Sequence, residues 1–129
     1  MQEDKLCTFD YAIIRLVPRV EREEFFNVGV ILSCPGHKFL ESRIFLDEDK
    51  LKCFAPDVNA ETVREYLSVI PKICAGDAEA GVIGRLPQRE RFYWLTAPRS
   101  TIIQTSPVHT GITDDPRGEI EHLFKTMVG

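Results

Sequence analysis

The sequence predicts an α+β domain: a small antiparallel β-sheet of about four strands packed with two or three amphipathic helices. Strand-like runs crowd the first third of the chain, and helical periodicity follows only afterwards. The regular β-α alternation of a doubly wound sheet is missing. The 129 residues suit a single domain spanning 1–129, with 1–6 expected as a disordered tail. With 43% hydrophobic and 28% charged residues, the chain has a globular composition and needs no disulfide or metal to hold a core.

The first strand is expected from Cys7 to Val17, a β-branched and aromatic run stopped by Pro18, which has no N–H to give a ladder. Phe25 to Cys34 is a second such run. Pro35-Gly36 supplies turn chemistry, and Lys38 to Leu46 completes a hairpin. Asn59 then fits a helix N-cap, with Val58 and Val63 at the two positions of a hydrophobic staple. Val63, Tyr66, Leu67 and Ile70 recur at helical spacing and make one apolar face, which Pro71 is expected to end or kink. Ala75 to Gly84 reads as a loop or frayed helix.

Pro87 suits the first position of a short helix over QRERFYWL, although FYWL also fits a strand. Thr101 to Ser106 is the fourth strand. Asp115 caps the last helix and Pro116 begins it, with Ile120, Leu123, Phe124 and Met127 as its apolar stripe. Glu121 and Lys125 form an expected surface pair worth about 0.3 kcal/mol. One sheet face packs on helices and the other is at least partly wet.

Several function classes are disfavoured. A net charge of −4 repels nucleic acid from the protein as a whole, so such a partner is not indicated, although a local basic patch acts independently within about 10 Å. Cys7, Cys34, Cys53 and Cys74 show neither C-x-x-C nor zinc spacing, so no metal and no cofactor is expected. The segment MQEDKLCTFD has no apolar signal core, and reduced thiols fit a cytoplasmic location. No apolar run is long enough to span a bilayer, so no membrane partner is expected. P-loop, GxGxxG, HExxH and GxSxG motifs are lacking, and Asp47-Glu48-Asp49-Lys50 departs from an EF-hand.

Polar residues interrupt the strands in a pattern. Period two puts Arg15 with Tyr11, Ile13 and Val17, Arg43 with Phe39, Glu41 and Phe45, and Asn27 with Gly29. With aligned register, Arg15, Asn27 and Arg43 share one surface. Three readings stay open: solvated residues whose arginine stems cover aromatics, an anion site of guanidinium forks, or ion pairs with Glu24 or Glu41. The loop Arg99-Ser100-Thr101 offers an oxyanion contact or, equally, turn hydrogen bonds. His109 is a candidate acid or base without a fixed partner, and Cys34 with His37 lacks an orienting third group.

The segments YAIIRLVPRVEREEFFNVGVIL, WLTAPRSTIIQTSPVHTG and DDPRGEIEHLF resemble the bacterial domain of unknown function 3037 family, from about Tyr11 to Val128. The family's motif positions correspond to Arg15, Pro18, Glu24, Asn27, Gly29, Arg43, Arg99, Ser100 and His109. Members are often encoded beside a HipA-like kinase. The resemblance therefore implies a non-catalytic accessory or binding module with that kinase as protein partner, in a toxin–antitoxin-like or stress-response unit. The alternative is a nucleotide- or RNA-processing enzyme, with Arg15, Arg43 and Arg99 on phosphate and His109 moving a proton. That alternative requires one basic concavity holding all four.

Overall fold

A computed structural model of the chain describes residues 5–19, 24–99 and 101–128. Among these, the element order is β1 Cys7–Arg19, β2 Glu24–Cys34, β3 Phe39–Ile44, α1 Glu48–Phe54, α2 Ala60–Ala75, α3 Gly81–Gly84, α4 Gln88–Thr96, β4 Ile103–Thr105, β5 His109–Thr113 and α5 Pro116–Met127. The fold class is α+β. The sheet is antiparallel in the order β3-β2-β1, and β4 and β5 lie end to end along the far edge of β1. The expected fourth strand is β4, and β5 is a fifth strand beyond it.

Pro107 explains the break, because it has no N–H for the ladder. Ser106 bridges the gap: its N–H donates to Ile13 O at 2.8 Å, and its Oγ accepts from Ile13 N at 2.9 Å. Beyond the proline the chain pairs again, with His109 opposite Tyr11 and Thr113 opposite Cys7. The earlier proline behaves differently. Pro18 does not end β1, because the β1–β2 register shifts between Leu16 and Arg19 and the ladder never asks for its N–H.

The hairpin turn also departs from expectation. Pro35–His37 form a single 3₁₀ turn, and the left-handed residue is Lys38 at φ +53° rather than Gly36. Asp47 caps the unanticipated α1 by accepting from Lys50 N at 3.1 Å. Asn59 caps α2 through Glu61 N and Thr62 N. Pro71 sits on the exposed side of α2, and the helix continues past it to Ala75. The terminator is Gly76, whose φ of +71° most side chains avoid, with Asp77 N closing back on Lys72 O. The following segment is ordered as a 3₁₀ turn and the one-turn α3.

Both sheet faces are covered. Ile14, Leu16, Val28 and Ile31 pack under Val63, Leu67, Ile70 and Ile73 of α2 and Phe92 and Leu95 of α4. Phe9, Ile13, Val30 and Leu32 meet Ile120 and Leu123 of α5 on the opposite face. Each fully buried aliphatic side chain contributes about 1.5–3 kcal/mol by leaving water. Arg91 locks α4 to α2, donating from Nη1 to Ile73 O and Cys74 O at 2.9 and 2.7 Å. Those are the last carbonyls of a helix, which carry partial negative charge and attract a cation.

Candidate functional site

The polar residues of the strands are brought to one face by a bulge. Ile14 pairs with Gly29 and Arg15 with Asn27, so Val28 is the extra residue on β2. Asn27 and Gly29 consequently lie on opposite faces, not together as strict alternation had them. Gly29 is also required by space: a Cβ there would lie 2.6 Å from Arg43 O. Arg43 pairs with Val30, which puts Arg15, Asn27 and Arg43 on the α5 side of the sheet.

On that face most of the polar groups already have partners. Asn27 Nδ2 donates to Met127 O at 2.9 Å and holds the last turn of α5. Arg43 Nε donates to Glu121 at 2.6 Å and Nη1 to Glu41 at 3.0 Å, while Arg117 forks onto the same Glu41. Glu121 therefore pairs with Arg43, and no Lys125 contact takes its place. Burial works against the Arg43 charge, but the bonds to Glu121 and then Glu41 outweigh it and raise its pKa. Arg15 lies over the Phe25 ring, 4.2 Å from its centre, and its buried Nε has no hydrogen-bond partner among the described residues.

Arg99 belongs to the other layer. Its Nη1 donates to Leu95 O at 3.3 Å and its Nη2 to Trp94 O, and the guanidinium lies 4.3 Å from the centre of the Trp94 ring. Ser100 lies outside the described residues. His109 is exposed on β5, its ring 5.2 Å from that of Tyr11. The sheet thus separates Arg99 from Arg15 and Arg43. Of these four residues, Arg99 alone lines the hollow between α2, α4 and the 101–105 segment.

Arg99 instead stands at the rim of a hollow of about 410 Å³ bounded by α2, α4 and the 101–105 segment. Tyr66, Val69 and Ile70 form one wall, Trp94 and Leu95 another, and Ile103 belongs to the third. Thr105 Oγ1 donates to Thr96 O at 3.4 Å and ties the edge strand to the end of α4. Sequence reasoning counted Tyr66 with the apolar face of its helix, yet Tyr66 is 55% exposed and Trp94 41%. The signal was present. Phe92 and Leu95, three apart, take the inward positions of α4, so the adjacent aromatics Tyr93 and Trp94 must turn outward. Likewise Val63, Leu67, Ile70 and Cys74 occupy the buried stripe of α2 and leave Tyr66 on its flank.

The remaining candidates are chemically quiet. His37 bonds Lys5 O at 2.8 Å, and burial raises the Cys34 pKa against a smaller lowering by a backbone hydrogen bond at His37. Burial also pushes the Cys74 thiol up to about 12, with Ser42 and Arg91 opposing it less strongly. Among the described residues no three His, Cys, Asp or Glu side chains cluster to hold a metal ion, and no helix is long and apolar enough to cross a membrane.

The fold and hollow define an α+β domain with a helical layer on each sheet face and an open, largely apolar depression beside one sheet edge. The chain belongs to the family described as Protein of unknown function (DUF3037), whose model matches residues 11–128. No curated protein and no solved structure matches it.

Proposed function

We propose that this protein is a non-catalytic accessory module that docks a protein partner at the hollow between α2, α4 and β4. The partner implied by the family resemblance is a HipA-like kinase, within a cytoplasmic toxin–antitoxin-like or stress-response unit. One observation carries the reading: Tyr66, Trp94 and Arg99 stand together at the rim of an apolar depression. Tyr, Trp and Arg are the side chains that dominate binding energy at protein interfaces, because they bury large rigid surfaces and end in directional donors. Val69, 42% exposed, extends the same apolar surface on α2. Its exposure adds nothing to the fold and is relieved by a docked surface.

The test is co-expression with a HipA-like kinase. An equimolar complex is expected on size-exclusion chromatography, and Tyr66→Ala with Trp94→Ala is expected to weaken it by about 30-fold or more, a hot-spot effect of about 2 kcal/mol. Failure of the two proteins to associate at micromolar concentration overturns the reading.

A further inference from the structure

We infer that the partner segment seated in this hollow is acidic and amphipathic, with apolar side chains against Tyr66, Val69 and Trp94 and a carboxylate on Arg99. The inference rests on the docking reading above and adds the partner's chemistry. Among the described residues, Arg99 is the single charged residue lining the hollow, and no carboxylate faces it there. Its hydrogen bonds go to the neutral carbonyls of Trp94 and Leu95. Arg19, Arg43, Arg64 and Arg117 each meet an Asp or Glu, whereas Arg99, like Arg15, Arg85, Arg89 and Arg91, forms no ion pair among the described residues.

Covering Arg99 with a neutral surface would strip water from a cation and give nothing back, and a basic segment would add repulsion. A guanidinium has five N–H donors. The two directed at the end of α4 leave three for an incoming carboxylate, with Trp94 holding the fork in place by stacking. The hollow opens alongside the sheet-edge strand β4, a groove shape suited to a chain segment with apolar anchors. The net charge of −4 sharpens the case, because the protein as a whole repels acids. A preference for an acidic segment must then come from the local cation.

Trp94 is the chain's one tryptophan, so its fluorescence reports occupancy of the hollow directly. The probes are three short peptides free of Trp and Tyr, identical in a Leu/Phe stripe and carrying Glu, Gln or Lys at the flanking positions. The Glu peptide is expected to bind about tenfold more tightly than the Lys peptide. That preference falls to within about twofold in Arg99→Gln and survives in Arg99→Lys. Because Arg99 also closes α4, a second reading uses the wild type alone: the preference shrinks in about 0.5 M salt.

Equal affinities, a preference unchanged in Arg99→Gln or in high salt, or binding by none of the peptides overturns the inference. If the charge preference fails while Tyr66→Ala and Trp94→Ala still abolish the equimolar complex, the acidic partner falls and docking stands. If no complex forms at all, the docking reading itself falls.

Discussion

Arg43 and Arg99, on opposite faces of the sheet, meet opposite surroundings. On the α5 side, Arg43 is clamped between Glu121 and Glu41, and Glu41 also receives Arg117, so positive charge is spent within the fold. On the α2–α4 side, Arg99 rests on helix carbonyls and an aromatic ring beside exposed apolar surface, and no carboxylate among the described residues neutralises its charge. Guanidinium groups that look equivalent in sequence thus divide into a fastener, Arg43, and a proposed binding element, Arg99. The difference lies in whether a second element brings an acid to meet them, as α5 does for Arg43 but not for Arg15, which lies over Phe25.

The largest expected effects concern the two cores. Leu67→Ala opens the larger cluster under α2 and should cost about 3–4 kcal/mol, against about 2 kcal/mol for Leu123→Ala beneath the single helix α5. Urea denaturation checks both, and a larger loss from Leu123→Ala would reverse the ranking of the layers.

Next is the alkaline limb. Cys74 is buried in the α2 layer, and burial pushes its thiol up to about 12, above the ordinary value it regains on unfolding. The folded state therefore holds a proton that the unfolded chain releases. This stabilisation is whole below the unfolded thiol pKa and is lost as pH rises toward 12. Denaturation at pH 8 and pH 10 should differ by about 1–2 kcal/mol from this group, and Cys74→Ala should flatten the difference. An unchanged slope in that variant would exclude Cys74 as its source.

The smallest stability effects compare the arginines themselves. Arg43→Ala frees Glu121, leaves Glu41 to Arg117 alone and should cost about 1 kcal/mol, reduced by the partial exposure of the carboxylates. Arg99→Gln should cost no more than about 0.5 kcal/mol, since it removes only a helix-end cation. Thermal melts of the pair distinguish fastener from binding element, and equal losses would erase the contrast.

Much of this fold is legible in local chemistry, because caps and stripes are local. Asn59, Asp115 with Pro116, and the stripe containing Ile120 and Leu123 act through the neighbours the sequence assigns them. What escapes reading depends on distant strands. The bulge at Val28 sets Gly29 on the face opposite Asn27, and only pairing with β1 reveals it. β5 contains Gly111 and follows Pro107, weak credentials for a strand until β1 offers it a ladder. The hollow was hidden for another reason: Tyr66 and Trp94 have the composition of core residues, and exposure is settled by which helix faces fill first.

The most direct test of the proposed docking at the hollow is the affinity of a HipA-like kinase, the proposed partner, for wild type, Trp94→Ala and Arg43→Ala, measured side by side by calorimetry. Binding should fall by about tenfold or more for Trp94→Ala and stay within about twofold of wild type for Arg43→Ala. Undiminished binding by Trp94→Ala, or an equal loss from Arg43→Ala, would contradict it.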